Sequence, residues 1–151
     1  MAQDLATLPP FSLPDEHGKL RSVGDLAGPK GLVLYVYPKD DTPGCTVEAQ
    51  DFRTLLPAFA EKGFTVAGLS KDSAASHCRF IEKFGLTFPL LTDADGAWLE
   101  AVGAYGEKNM YGKIVKGILR TTFVVDSAGT ILRIYRNVKA AGHAERVLGE
   151  L

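Results

Sequence analysis

Hydrophobic residues change their spacing along the chain, and each spacing predicts a different element. Residues 32–37 form a continuous apolar and β-branched run, LVLYVY, which is typical of a strand buried on both faces. The apolar positions then recur every three or four residues, which predicts an amphipathic helix over residues 43–60. Thr42 suits the N-cap of that helix and Pro43 its first turn, whereas Pro57 is expected to kink or shorten its end.

The other segments alternate between short β-rich runs and helical periodicity. Further strands are predicted at residues 11–13, 20–23, 64–69, 90–91, 121–125 and 130–135, and further helices at 73–84, 97–102 and 141–148. The turn sequence DSAG separates the last two strands, so they are expected to pair as a hairpin. This order predicts an α/β fold, a three-layer sandwich with a mixed central β-sheet, and a thioredoxin-like layout fits it.

Length and composition predict one globular domain over residues 1–151. A chain of 151 residues suits a single domain, and 46% hydrophobic with 23% charged residues is an ordinary globular balance. A domain of this size buries roughly two-thirds of the surface that it exposes when unfolded. No disulfide framework is therefore needed to hold the fold together.

Charge and hydropathy argue against nucleic acid and membranes as partners. The formal net charge is −1, from 17 basic and 18 acidic residues, so no strong field attracts a polyanion. The opening sequence MAQDLATLPPFSLPD lacks the pattern of a signal peptide, and no apolar stretch approaches the roughly 20 residues that span a bilayer. We therefore expect a cytoplasmic protein, in which the two cysteines are free or redox-active.

The most informative segment is YPKDDTPGCTVE, which joins the predicted buried strand to the long helix. Cys45 falls in the first turn of this helix, where unpaired amides and the positive end of the helix dipole favour an anion such as a thiolate. A thiolate attacks one peroxide oxygen and becomes a sulfenic acid, while hydrogen-bond donors stabilise the departing oxygen. Thr42 is placed to offer a hydroxyl, Gly44 permits close approach to the backbone, and Pro38 and Pro43 stiffen the loop.

This segment resembles the active-site motif of the peroxiredoxins, and in particular the branch called bacterioferritin comigratory protein or peroxiredoxin Q. The resemblance covers nearly the whole chain. Further matching stretches are LSKDS and SH at 69–77, FPLLTD at 88–93, GEK and MYGK at 106–113, and GILRTTFVVD at 117–126.

The resemblance implies a thiol-dependent peroxidase that reduces hydrogen peroxide and organic hydroperoxides without a cofactor or metal. Cys45 would be the peroxidatic nucleophile, with Thr42 and the Cys45 amide holding the peroxide and Pro38 shielding the sulfur. Arg120 would stabilise the thiolate and polarise the peroxide, and Glu48 would orient that arginine. The branch also implies thioredoxin or a similar thiol as reductant and a monomeric state.

The second cysteine departs from the pattern of the branch. Many members carry it five positions after the first, where this chain has Gln50. Cys78 lies in the predicted second long helix, about one turn before Ile81, the position that some relatives use. Cys78 as the resolving residue is slightly favoured over a one-cysteine cycle with an external thiol, and a partly buried inert thiol is nearly as good an interpretation.

Several other interpretations remain open from the sequence. The chain lacks the Cys-x-x-Cys of a thiol–disulfide oxidoreductase, and a cysteine hydrolase would need His77 or His143 beside the nucleophile. A chaperone-like module in which Cys45 is incidental is a non-enzymatic alternative. The histidines, including His17, are interpreted as structural or surface residues, and the two tyrosines of the buried strand as packing residues. Met110 and Tyr111 fit a substrate-side loop and a plain surface loop equally well.

Overall fold

The computed structural model describes residues 5–151, apart from the side chain of Met110. Nine strands and five helices follow one another along these residues. They are β1 Leu13–Pro14, β2 Leu20–Arg21, α1 Val23–Leu26, β3 Gly31–Val36, α2 Pro43–Glu61, β4 Phe64–Ser70, α3 Ala74–Phe84, β5 Leu90–Thr92, α4 Ala97–Ala101, β6 Tyr105–Met110, β7 Lys113–Ile118, β8 Thr121–Val125, β9 Ile131–Tyr135 and α5 His143–Gly149.

Five strands form a mixed central sheet in the order β5-β4-β3-β8-β9. Strand β3 pairs in parallel with β4 and antiparallel with β8, and β8 forms the expected antiparallel hairpin with β9. The carboxyl end of β3 and the start of β8 consequently meet at one edge of the sheet, where Val36 pairs with Thr121. The α/β class and the mixed sheet predicted from the sequence are confirmed.

Alternate side chains of β3 enter two separate cores. Val33 and Tyr35, together with Tyr37 just beyond the strand, pack into a cluster that includes residues of α2, α3 and α5. The intervening Leu32, Leu34 and Val36 pack into a second cluster with residues of α1 and α4. Burial on both faces explains the unbroken apolar run of this strand, since the side chains on neither face contact water. Within the described residues, no helix combines the length and hydrophobicity that crossing a bilayer requires.

The predicted strand at 20–23 is wrong in its second half. Val23 begins α1 instead, because the Ser22 hydroxyl accepts a hydrogen bond from the Asp25 amide while the Asp25 carboxylate accepts one from the Ser22 amide. This reciprocal capping box is a strong local start signal for a helix.

A further antiparallel hairpin, β6 with β7, was not predicted from the sequence. Its residues are largely polar and exposed, so no apolar alternation marks them as strands. Tyr111 and Gly112 both have positive φ, 53° and 82°, as a tight two-residue hairpin turn requires. Tyr111 therefore lies at the tip of a hairpin and is fully exposed.

Candidate active site

Cys45 lies in the first turn of α2, immediately beyond the carboxyl end of the central strand β3. Its side chain is only 1% exposed. The helix ladder opens with the Thr46 amide donating to the Thr42 carbonyl at 2.8 Å, which leaves the amides of Gly44 and Cys45 ahead of that ladder. These amides are donors available to an anion or a peroxide oxygen at this helix end.

Arg120 reaches Cys45 because β8 runs antiparallel to β3. It directly precedes the first residue of β8, so the sheet register holds its backbone beside the end of β3. Its Nη2 lies 3.4 Å from the Cys45 sulfur, and the side chain is 14% exposed. A permanent cation with several donors is therefore held against the sulfur in a largely desolvated setting.

Glu48 completes the arrangement from the same helix as Cys45. Three residues further along α2, it lies on the same helix face and its Oε1 accepts a hydrogen bond from Arg120 Nη1. Burial raises the pKa of Glu48 to about 7, and the neighbouring guanidinium opposes this shift only in part. Burial lowers the pKa of Arg120, but Glu48 and Cys45 outweigh that effect, so its pKa lies above the ordinary value.

Gly44 lies against this guanidinium. A Cβ at position 44 would lie 3.3 Å from Arg120 Nη2, closer than most side-chain contacts allow. Glycine therefore keeps space for the guanidinium beside the first turn of the helix.

Thr42 and Pro38 belong to the loop that leads into the helix. Thr42 occupies the N-cap position with extended backbone, but its hydroxyl donates to the Lys39 carbonyl at 2.8 Å and makes no capping hydrogen bond. Pro38 is partly buried. Both residues lie in the five-residue loop between Tyr37 and α2, which leads into the helix turn that carries Cys45.

Cys78 is in α3 and is exposed, in contrast to Cys45. Its thiol donates to the Glu16 carbonyl at 3.0 Å, whereas the Cys45 sulfur contacts Arg120. The two sulfurs thus lie on different helices and contact different groups in this reduced form.

The two buried histidines have other partners. His143 is hydrogen-bonded through Nε2 to the Thr122 hydroxyl at 2.8 Å, and burial together with Arg146 and Arg120 lowers its pKa to about 4. His77 bonds Asp40 and the Leu91 carbonyl. His17 is exposed. These contacts disfavour a histidine-activated hydrolase.

Sequence reasoning missed the neighbours of Asp40. Its carboxylate accepts hydrogen bonds from Tyr37 and Ser76 and pairs with His77. The available signal was an aspartate in the active-site loop together with the Ser-His pair of the second long helix, three polar residues whose burial only the fold reveals.

Comparison with known proteins agrees with this geometry. The family described as AhpC/TSA matches residues 6–134. Peroxiredoxin Bcp of Escherichia coli is 40% identical over 150 residues, covering 99% of this chain and 94% of that protein. Peroxiredoxin Bcp of Xanthomonas campestris is 50% identical over 120 residues, or 80% of this chain and 75% of that protein.

Solved structures give the same result. The bacterioferritin comigratory protein of Xanthomonas campestris superposes with a TM-score of 0.82 at 45% identity, covering 96% of this chain and 91% of that one. Peroxiredoxin Q of Xylella fastidiosa gives a TM-score of 0.88 at 37% identity, covering 99% and 96%. The thioredoxin-like fold expected from the sequence is confirmed. The chain belongs to the AhpC/TSA family as a peroxiredoxin of the Bcp, or peroxiredoxin Q, branch, and is a thiol-dependent peroxidase.

Proposed function

We propose that Cys45 is the peroxidatic residue and that its substrates are hydrogen peroxide and organic hydroperoxides. The thiolate attacks one oxygen of the O–O bond, that bond breaks, and the second oxygen leaves as an alkoxide or hydroxide that takes up a proton. Sulfur is oxidised to a sulfenic acid and the peroxide is reduced to alcohol or water. The observation that carries the proposal is the Arg120 guanidinium at 3.4 Å from the buried Cys45 sulfur.

The surrounding groups have distinct roles in this proposal. Arg120 stabilises the thiolate and the charge that grows on the departing oxygen, and Glu48 holds the guanidinium in place. The Cys45 amide and the Thr42 hydroxyl hold the peroxide oxygens, which requires the hydroxyl to rotate from its Lys39 partner. Pro38 limits access of bulk water to the sulfur.

The sulfenic acid is then reduced by a thiol. We propose Cys78 as the resolving residue: its sulfur attacks the Cys45 sulfenic acid, a disulfide forms and water leaves. A disulfide requires the two Cα atoms to lie within about 7 Å of each other, and we propose that local unwinding of the first turn of α2 exposes the buried Cys45 sulfur to Cys78. Thioredoxin or a similar dithiol then reduces the disulfide. Direct attack of an external thiol on the sulfenic acid is the alternative.

The proposed setting follows from the bulk properties together with the resemblance to the peroxiredoxin Q branch. We expect residues 1–151 to act as a single thioredoxin-like domain in the cytoplasm, as a monomer and without a metal or cofactor. The near-zero net charge supports a protein that binds neither nucleic acid nor membranes.

The test is rapid mixing of the reduced protein with hydrogen peroxide, followed by acid quench and mass spectrometry. Wild type is expected to form a Cys45–Cys78 disulfide, Cys78→Ser to accumulate sulfenic acid on Cys45, and Cys45→Ser to consume peroxide no faster than a free thiol. A Cys45→Ser variant that retains peroxidase activity would refute the proposal and favour a module in which Cys45 is incidental. Sulfenic acid without disulfide in wild type would instead establish the one-cysteine cycle.

A further inference from the structure

The loop before Cys45 is attached to α3 by a buried polar cluster. Asp40 is 7% exposed and lies between the end of β3 and the start of α2. Its Oδ1 accepts from the Tyr37 hydroxyl at 2.5 Å, and its Oδ2 accepts from the Ser76 hydroxyl at 2.8 Å. The same oxygen lies 2.7 Å from Nδ1 of His77, which is completely buried. We refer to these four residues, Tyr37, Asp40, Ser76 and His77, as the loop clasp.

The hydrogen-bond acceptors around the loop clasp indicate which of its atoms carry protons. His77 Nε2 lies 3.0 Å from the Leu91 carbonyl, which only accepts, so Nε2 carries a hydrogen. A further proton lies between Nδ1 and Asp40, because a bare nitrogen and a bare carboxylate would repel each other at 2.7 Å. Burial, with Tyr35 and Asp40 nearby, raises the pKa of Tyr37 well above its ordinary value, so its hydroxyl stays a donor. Each contact to Asp40 is therefore satisfied.

The backbone of the loop is held as well. The Asp40 amide donates to Asp72 Oδ2 at 2.9 Å, and that oxygen also accepts from the Ser70 hydroxyl at 2.8 Å. The next residue, Asp41, has a φ of +58°, a left-handed conformation that is unfavourable for a residue other than glycine and persists where the surroundings impose it. Asp40 thus supplies the attachment that fixes the chain between the sheet and Thr42.

The reaction described above requires two opposite properties of this loop. Attack on peroxide requires a covered, fixed Cys45 beside Arg120, whereas reduction of the product requires a thiol to reach that buried sulfur. The loop clasp joins the segment that leads to Cys45 with the helix that carries Cys78, so its strength bears on both steps.

We propose that Asp40 and His77 are positioning residues whose buried pairing holds the peroxidatic loop closed on α3, favouring attack on peroxide and restricting access of larger thiol-reactive molecules to Cys45. The proposal rests on Cys45 being the reactive sulfur and is independent of whether Cys78 resolves it. Weakening the loop clasp is then expected to slow the oxidation of Cys45 by peroxide and to speed its reaction with bulky thiol reagents.

The experiment measures both rates in a Cys78→Ser background. One is oxidation of Cys45 by hydrogen peroxide, and the other is its alkylation by a bulky maleimide, each followed by quench and mass spectrometry. Asp40→Asn and His77→Gln are expected to raise the ratio of alkylation to oxidation roughly tenfold or more, the scale of one hydrogen bond to a charged group. Ser76→Ala removes a single partly buried hydroxyl contact and is expected to give a smaller change of the same sign.

A matched control lies between the same loop and helix. Lys83 Nζ pairs with Asp41 Oδ2 at 2.9 Å, and both side chains are about half exposed. Exposed pairs contribute little, so Lys83→Ala should leave the ratio within about twofold of the parent.

Equal ratios in the parent, Ser76→Ala and Asp40→Asn would overturn the proposal, as would parallel loss of both rates. Ser76→Ala keeps the test decisive if Asp40→Asn and His77→Gln fail to fold. Absence of peroxide oxidation in the parent would refute the proposed function instead, and the alkylation rates alone would then decide whether the clasp controls access.

Discussion

The two cysteines of this chain both lie on helices but occupy opposite environments, Cys45 in the first turn of α2 and Cys78 near the middle of α3. Cys45 is buried, with a guanidinium against its sulfur and a carboxylate that fixes that guanidinium. Cys78 is exposed, and its thiol faces only the Glu16 carbonyl. A cysteine on a helix is therefore not sufficient to build such a site. The difference lies in what the sheet brings to the sulfur, since Arg120 directly precedes β8 and is 75 residues away in sequence.

The largest effect is expected from changing the guanidinium. Arg120→Lys keeps a positive charge but loses the fork that contacts Cys45 and Glu48 together. We expect oxidation of Cys45 by hydrogen peroxide to slow by about 100-fold, the scale of removing a fixed donor from developing negative charge. Stopped-flow rates of Arg120→Lys in the Cys78→Ser background measure this. A decrease of less than about threefold would show that Arg120 has no special role beside this sulfur.

The next effect concerns the pH dependence of stability at Glu48. Its pKa is raised from 4.5 to about 7 in the folded protein, so the unfolded carboxyl loses its proton first. The stabilisation linked to this group is then complete below about pH 4.5 and is lost as the pH rises to about 7. Relative to Glu48→Gln, wild type should lose up to about 3 kcal/mol of unfolding free energy across this range.

Urea titrations of wild type and Glu48→Gln at several pH values measure that difference. Both proteins contain every other titratable group, so the subtraction isolates Glu48. If wild type gains stability over the variant as the pH rises, the ion pair with Arg120 outweighs burial and the direction inferred for this pKa is wrong.

The smallest effect is expected at the second cysteine. Cys78→Ala removes an exposed thiol with one hydrogen bond, and the free energy of unfolding should change by no more than about 0.5 kcal/mol. Urea unfolding under reducing conditions checks this. A loss above about 1 kcal/mol would mean that the contact with Glu16 is part of the structural framework, which would narrow the contrast between the two cysteines.

The sequence by itself determined the fold class and the candidate active-site segment. The apolar run of β3, the helical period of α2 and the Thr-Pro-Gly-Cys segment between them are local patterns, so they are readable without a fold. The exposed β6–β7 hairpin escaped prediction because neither of its strands presents the apolar alternation of a half-buried strand. Arg120 and Glu48 entered only through the resemblance, since each alone is an ordinary charged residue.

Tertiary structure decided which polar residues meet. The antiparallel pairing of β8 with β3 places Arg120 at the sulfur, and packing of α3 against the active-site loop buries Asp40 with His77. A buried charge is tolerated only where distant partners are brought within hydrogen-bonding distance. Local sequence specifies the helices and strands, but the long-range register of the sheet specifies those partners.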